Sequence, residues 1–393
     1  MFYLIIFFIL VILSWFNLVF PDKLCRQLLS GISAVILVGV AGLRYETGGD
    51  WDVYTRIFNH LPSLVQIIDT PRLLWAYDVE EGFVLLNALI KQLGGNVQWV
   101  FFVITSINIS LISVSLYRYT KYPVVGLLCY YCILYFSLEM IYIRQAVAVA
   151  LCFFAIRYIE SRKIIPYMLI VLLACTFHRV AVLMVPLYFV LRIKLPIWTY
   201  MGIVLFGAIV MLVGFPWITK IFLGVASLLG ETYASKAELY TTSAFFATGR
   251  KLSVGFVLNL LIFASVLYFK QSLDNHSTGT IHLNMFLLSL VLYYYCFELV
   301  EVSNRVRFFF LISIVTLLPI ILEYIIHWSN QLGVYFVVVL YCFSFSMHIF
   351  TEQPRAVAYN PYQNYIEYKI HPRPSTGKQR LEKSHQMFRK DRQ

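Results

Sequence analysis

The sequence predicts an all-α polytopic integral membrane protein with about 12 transmembrane helices. Hydrophobic residues make up 60% of the 393-residue chain, charged residues make up only 13%, and the mean hydropathy is +0.75. Soluble domains carry roughly 25% charged residues, so the composition excludes an ordinary soluble protein. Apolar runs of helix-forming length also follow one another along most of the chain.

The N-terminal part holds two such runs and then a long polar loop. Phe2–Phe20 and Leu28–Leu43 suit membrane-spanning helices, and the first lacks the basic flank of a cleaved signal peptide. The loop Arg44–Val97 carries four Lys/Arg against seven Asp/Glu. Inside it, Glu81-Gly82-Phe83 leads into the amphipathic run Val84–Leu93. That run is too short to span a bilayer, and it predicts an interfacial or re-entrant helix.

The rest of the chain continues the pattern. Further apolar runs occupy about Trp99–Leu116, Val124–Leu138, Ile141–Tyr158, Ile164–Phe177, Val180–Leu191, Trp198–Val213, Leu252–Phe269, His282–Val300, Phe308–Ile326 and Leu332–Phe350. We predict one membrane domain, residues 1–350, with two outer segments at about 44–97 and 214–250. Residues 351–393 hold nine Lys/Arg, four acidic residues and four prolines. They predict a largely disordered tail attracted to anionic lipid.

Basic residues in short loops indicate which helix ends share a side of the membrane. One set falls on the side taken as cytoplasmic: Lys23, Arg26, Arg118, Lys121, Arg157, Arg162, Lys163, Arg192 and Lys194. Arg44, Arg144, His178 and Arg305 then fall on the outer side, together with the acidic loop. The basic tail conflicts with this orientation, since twelve helices would also place it outside, and we give the short loops more weight.

The first candidate site residues lie just after the second apolar run. Arg44 precedes Gly48-Gly49, where the backbone can turn sharply, and Asp50 and Trp51 follow directly. A helix that begins near Asp50 places Asp50 and Tyr54 one turn apart on one face. We predict a site role for these residues. The alternative for Asp50 is a carboxylate that only stabilises a helix start, and the alternative for the aromatic residues is anchoring at the interface.

Three further polar sites interrupt apolar sequence on the same predicted side. Arg144-Gln145 precedes small residues that leave room for a ligand or for close helix packing. His178 stands in a break between two short apolar runs and suits proton transfer near neutral pH. Arg305 and Arg307 form the third site. The alternatives are a snorkelling Arg144, a histidine that only packs, and internal ion pairs around Arg305.

Several classes of chemistry find little support. The chain lacks a His pair at i,i+4 spacing and a Walker-type or dinucleotide glycine motif, so the sequence predicts neither a metal site nor a nucleotide cofactor. Cys129 and Cys132 lie in an apolar run with no second pair, which favours a packing role. We expect no nucleic-acid partner. Several arginines beside one histidine suit an anionic, phosphate-bearing substrate.

The order of these motifs resembles the EpsG-type polysaccharide polymerases, a branch of the Wzy group. Arg44-x5-Asp50-Trp51-x2-Tyr54 is similar to the motif near the start of that family. The other matching motifs follow in the family's order: Glu81-Gly82-Phe83, Arg144-Gln145, Phe177-His178, Arg305 with the aromatic residues after it, and Asn360-Pro361-Tyr362. Arg179 departs from the pattern, because the residue after the histidine is usually small or neutral.

The resemblance implies a GT-C-like fold and a metal-independent glycosyltransferase without a cofactor. Its substrate would be an undecaprenyl-pyrophosphate-linked oligosaccharide, polymerised into O-antigen, capsule or exopolysaccharide at the periplasmic face of the bacterial inner membrane. Membrane lipid and a chain-length regulator protein would be partners. The catalytic residues would be His178, Arg144, Arg305 and Asp50. The substrate-binding residues would be Arg44, Tyr54, Trp51, Gln145, Arg307 and Glu81.

Two alternative functions stay open at this point. An O-antigen ligase uses the same lipid-linked donor, but it usually has one dominant outer loop where this chain has two moderate segments. A flippase for lipid-linked oligosaccharides would line its path with charges at several depths, whereas here the unusual charges collect at one face.

Overall fold

The computed structural model describes residues 1–214, 217–228, 230–231, 234–235, 238, 252–351, 353–372 and 374–390. These residues form helices, with one isolated backbone bridge between Arg44 and Asn364 and no β-strand. Most of the predicted outer segment 214–250 lies outside the described residues. The chain divides into two compact units, Met1–Tyr188 with Leu318–Asp391, and Phe189–Leu317. The predicted membrane domain of residues 1–350 stays a prediction.

The first unit contains the helices of both chain ends. They are α1 (Phe2–Val19), α2 (Lys23–Gly42), α3 (Trp51–His60), α4 (Leu64–Asp69), α5 (Glu81–Gln92), α6 (Val97–Tyr119), α7 (Pro123–Tyr130), a π-helical turn (Tyr131–Tyr135), α8 (Phe136–Leu138), α9 (Ile143–Glu160), α10 (Ile164–Cys175), a 3₁₀ helix (Arg179–Met184) and α11 (Leu187–Val190). The helix predicted at Val84–Leu93 is present within α5, which ends at Gln92, and its position at the membrane interface stays a prediction.

The second unit begins beyond Tyr188. Its helices are α12 (Ile197–Val213), α13 (Ile218–Leu228), α14 (Val254–Tyr268), α15 (Lys270–Asn275), α16 (Gly279–Tyr295) and α17 (Val300–Leu311). Helix α18 (Ile314–Glu323) passes into the first unit at Leu318. The first unit is completed by α19 (Trp328–Thr351), α20 (Gln353–Tyr359), α21 (Tyr365–Ile370) and α22 (Gly377–Lys390).

Five helical spans among the described residues are long and apolar enough to cross a membrane, and six if the bent pair α12 and α13 counts as one. The five are Phe2–Val19, Lys23–Gly42, Val97–Tyr119, Val300–Glu323 and Trp328–Met347. Shorter apolar helices, such as Ile164–Cys175, account for other predicted runs. The protein is thus a multi-pass, all-helical membrane protein by length and composition, and the number of 12 spans stays a prediction.

The two ends of the first unit differ in chemistry. At one end, Arg26 Nη2 donates to the carbonyl oxygens of Tyr117 (2.9 Å) and Thr120 (2.8 Å). Arg118 pairs there with Glu160 at 2.9 Å. Arg26 and Arg118 belong to the basic residues of short loops that the sequence predicts on one side of the membrane. The residues around Arg44 and Arg144 lie at the opposite ends of helices α2 and α9, as the loop pattern predicted.

The C-terminal segment differs from its prediction. The sequence predicts a largely disordered tail over residues 351–393, but α22 packs against α20 and the segment just after α2. Buried Arg380 donates to the carbonyl oxygens of Pro361 (2.8 Å) and Glu46 (3.0 Å). Tyr45 also stacks on Tyr368, with ring centroids 4.0 Å apart. The polar composition of the tail hides this order, because its stabilising partners are carbonyl groups far away in sequence.

Candidate functional site

The centre of the candidate site is the turn of residues 139–142, which joins α8 to α9. Arg44 fixes the start of this turn, because its Nη1 donates to the Glu139 carbonyl oxygen at 2.7 Å. The Arg44 side chain is 0% exposed and lies over the Phe101 ring, 4.7 Å from the centroid. We predicted that Arg44 binds substrate. In the structure it is closed off from solvent and contacts the backbone that carries Arg144.

The segment after Arg44 packs against the same turn. The Tyr54 hydroxyl donates to the Ile141 carbonyl oxygen at 3.1 Å. Gly48 has a φ of +102°, and a Cβ there would lie 3.0 Å from the Met140 carbonyl oxygen. A larger residue would therefore push the turn away. Trp51 and Tyr54 are only 5% and 6% exposed, so neither offers an open ring face to a sugar in this structure.

Glu139, which sequence reasoning did not select, anchors the turn from within. Its carboxylate accepts hydrogen bonds from the Tyr130 hydroxyl (2.6 Å) and from Asn108 Nδ2 (3.1 Å). The residue is 1% exposed. A buried carboxylate is tolerated only when its oxygens are hydrogen-bonded, as they are here. The sequence shows only that a carboxylate follows an apolar run. It does not show which side chains donate hydrogen bonds to that carboxylate.

Arg144 lies on the first turn of α9, directly after this fixed segment. Its Nη1 forms an ion pair with Glu80 Oε2. The Arg144 side chain is 28% exposed and that of Glu80 is 13% exposed. Arg144 is therefore accessible where Arg44 is not. Gln145, the next residue, is 2% exposed, so it offers no open surface for its predicted contact with substrate in this structure.

The N-terminus of α5 contacts the break that contains His178. The Gly82 amide donates to the Thr176 carbonyl oxygen at 2.8 Å. A Cβ on Gly82 would lie 2.4 Å from Thr176 Oγ1, so only glycine allows this approach. His178 is partly exposed and stands immediately before the 3₁₀ helix that begins at Arg179. The break predicted from sequence is therefore a real interruption between two short helices.

Glu81, the predicted substrate-binding residue, faces Arg179. Arg179 Nη2 lies 3.8 Å from Glu81 Oε1, and the two side chains are 72% and 30% exposed. This exposed pair contributes little to stability. It does show that Arg179, the departure from the family pattern, points into solvent-accessible space beside α5. Consecutive residues at the start of α5 thus make both contacts. Glu80, the N-cap residue, reaches Arg144, and Glu81 and Gly82 reach the segment around His178.

Asp50 occupies the N-cap position of α3, and its carbonyl oxygen accepts the Tyr54 amide at 3.1 Å. The predicted one-turn spacing of Asp50 and Tyr54 is therefore present. Burial raises the pKa of the Tyr54 phenol, the charge of Arg144 lowers it, and the charge of Asp50 raises it. Tyr54 is thus close enough to both charged groups for each of them to affect the pKa of its phenol.

Arg305 and Arg307 belong to the second unit, on α17. Arg305 Nε pairs with Glu301 Oε1 at 3.2 Å, one turn away on the same helix. Arg307 Nη2 donates to Asn259 Oδ1 at 3.3 Å and lies over the Tyr293 ring. The local ion pair of Arg305 matches the alternative considered from sequence. A shared site with Arg144 stays a prediction.

The described residues contain no group of three or more His, Cys, Asp or Glu side chains arranged to hold a metal ion. The site in the first unit is therefore built from an accessible arginine, two glutamates and a partly exposed histidine at one end of an apolar helical bundle. Ionisable side chains beside apolar membrane helices are rare, and their presence marks this region as a candidate functional site.

The particular family follows from comparison with known proteins. The family model described as the EpsG family matches residues 27–366, which is most of the 393-residue chain. The chain therefore belongs to the EpsG family, and it is a membrane protein of the polysaccharide-polymerase type. No curated protein matches it, and no solved structure matches it. The resemblance read from the ordered motifs is confirmed.

Proposed function

We propose that the protein is an oligosaccharide repeat-unit polymerase, a metal-independent glycosyltransferase. The donor is a growing saccharide on undecaprenyl pyrophosphate, and the acceptor is a hydroxyl on a new lipid-linked repeat unit. The product is O-antigen, capsule or exopolysaccharide at the outer face of the inner membrane. The observation that carries the proposal is the start of α5, which contacts both Arg144 and the segment of His178. Family membership supports the same reaction.

Arg144 is the group suited to the leaving pyrophosphate. In the transfer, the bond between the sugar anomeric carbon and the pyrophosphate oxygen breaks, and negative charge builds on that oxygen. A guanidinium held in place before the reaction stabilises this charge more in the transition state than in the ground state. Arg144 is accessible and sits on a helix start whose preceding turn is fixed by Arg44, Tyr54 and Glu139.

His178 is the group suited to the acceptor. The acceptor hydroxyl loses its proton as its oxygen bonds to the anomeric carbon, and an imidazole takes that proton near neutral pH. Asp50, the other predicted catalytic carboxylate, lies near Tyr54 and is the second choice as base. Glu81 and Gln145, with Arg305 and Arg307 of the second unit, remain proposed catalytic or substrate-binding residues.

Burial changes the proposed roles of three residues. Arg44, Trp51 and Tyr54 are buried against their neighbours, and we assign them to positioning the turn before Arg144. The lipid carrier and the membrane remain proposed partners, as does a chain-length regulator protein.

The test is the polymer made by a deletion strain that carries variant genes. Arg144→Ala and His178→Ala should abolish long polymer while single lipid-linked repeat units accumulate at the outer face. The matched controls are Arg56→Ala and His60→Ala, since both residues are exposed on α3, and both variants should make polymer of normal length.

Two other results would reject the proposal. Repeat units that accumulate at the inner face would indicate a flippase. Long polymer that stays on its lipid carrier would indicate a ligase.

A further inference from the structure

Two adjacent glutamates begin α5, and the structure gives them different partners. Glu80 pairs with Arg144, and Glu81 lies 3.8 Å from Arg179. Sequence reasoning selected Glu81, because it belongs to the Glu-Gly-Phe motif. The arginine that suits the pyrophosphate is instead held by Glu80, one residue earlier.

The two pairs also differ in their exposure to solvent. The side chains of Glu80 and Arg144 are 13% and 28% exposed, whereas those of Glu81 and Arg179 are 30% and 72% exposed. A partly desolvated ion pair is screened less by water and salt than an exposed one. Glu80 therefore holds Arg144 more firmly than Glu81 holds Arg179.

The backbone around Glu80 is fixed as well. Its carbonyl oxygen accepts hydrogen bonds from the amides of Phe83 (3.0 Å) and Val84 (3.1 Å), which start the helix. Two residues later, the Gly82 amide is bonded to Thr176 at the break before His178. The Glu80 carboxylate is therefore attached to a segment that cannot move without also moving the contact to that break.

We propose that Glu80 is a positioning residue for Arg144 in the polymerase reaction. The inference rests on the proposed function. A guanidinium has five N–H donors in a rigid plane, so a carboxylate on Nη1 orients the plane and leaves other donors for a phosphate. Without Glu80, the long arginine side chain regains rotamers that point away from the leaving group.

The pair has a second consequence, for substrate affinity. The Glu80 carboxylate also repels a pyrophosphate that approaches Arg144. Removing its charge should therefore tighten donor binding while it slows the transfer itself. A residue that only stabilises the fold would not move kcat and KM in this opposed way.

The experiment uses the full chain, purified and reconstituted in liposomes with lipid-linked repeat units as substrate. Glu80→Gln should lower kcat about 10- to 100-fold, which is the range for a misplaced catalytic group, and should lower the donor KM. Glu80→Asp should restore part of kcat, since it keeps the charge. The matched control is Glu160→Gln, because Glu160 also pairs with an arginine, Arg118 at 2.9 Å, but lies at the opposite end of α9. Its kcat should stay within about twofold of wild type.

A double variant separates positioning from other effects. In an Arg144→Lys background, adding Glu80→Gln should cost much less than it does alone, because the oriented guanidinium is already gone. Equal losses in both backgrounds would overturn the proposal, and so would equal effects of Glu80→Gln and Glu160→Gln. A Glu80→Gln protein that loses its folded, monodisperse state while Glu80→Asp also fails to restore kcat would assign Glu80 to folding. Failure of the wild type to elongate would instead reject the proposed function.

Discussion

Arg44 contacts the start of the turn of residues 139–142 and Arg144 follows its end, but the two side chains have different surroundings. Arg44 is fully buried and donates to the first carbonyl of the turn, at Glu139. Arg144 follows the turn, is 28% exposed and pairs with a carboxylate. Both were candidates for a phosphate site because both are arginines near a helix end. The comparison teaches that burial, which the sequence does not show, separates the arginine that supports the turn from the arginine that is open to solvent.

The largest effect is expected for a substitution of the buried Arg44, and it should fall on stability. Arg44→Ala should lower the free energy of unfolding by roughly 3–5 kcal/mol, because it opens a cavity and leaves the Glu139 carbonyl unpaired. Thermal unfolding in detergent measures this loss. Arg56→Ala is the control, since that side chain is 69% exposed. An Arg44→Ala protein that is stable but inactive would restore Arg44 as a phosphate ligand and would break the comparison.

On the accessible side, the effect should fall on activity. Arg144→Ala should reduce the rate of repeat-unit transfer by about 100- to 1,000-fold, the cost of removing one donor that stabilises developing charge. Its thermal unfolding should stay close to wild type. Arg144→Lys keeps the charge without the forked donors, and it should recover only part of the rate. Full polymer formation by Arg144→Ala would contradict the proposed site.

Tyr54→Phe tests whether the buried contacts of the turn of residues 139–142 affect the function of the accessible Arg144. The hydroxyl donates to the Ile141 carbonyl, so its loss should cost about 1 kcal/mol of unfolding free energy. Because that carbonyl belongs to the turn before Arg144, the transfer rate should also fall. If Tyr54→Phe loses the expected stability but transfers repeat units at the wild-type rate, the turn does not position Arg144.

The smallest effect is expected for Arg179→Ala. Its pair with Glu81 spans 3.8 Å between largely exposed side chains, so stability should change by less than about 0.5 kcal/mol. The transfer rate should stay within about twofold of wild type in the same liposome assay. A large loss of rate would place Arg179 in contact with substrate and would extend the accessible side of the site.

Much of the architecture was predictable because it depends on local pattern. The break in the apolar run predicted the interruption at His178. The Glu-Gly-Phe motif and the amphipathic run after it predicted the helix that α5 forms. The order of motifs gave the family. These features need only composition and spacing over a few residues.

Other features depend on partners distant in sequence. Glu80 and Arg144 are 64 residues apart, and no periodicity pairs them. The Glu-Gly-Phe motif contains Glu81, but the side chain that pairs with Arg144 is that of Glu80, and this pairing depends on tertiary packing. The role of Glu139 is likewise hidden in the sequence, because its partner Asn108 lies 31 residues away on α6 and no helical spacing pairs it with Tyr130, nine residues earlier.

Helix α22 has a practical consequence for finding the side of the membrane on which the site faces. It packs beside the segment of Glu46, at the same end of the first unit as Arg144, and beyond the residues that match the family. A reporter enzyme joined after Lys390 would therefore emerge on the same side as the site. Its activity in intact cells would assign that side without altering a single residue of the site.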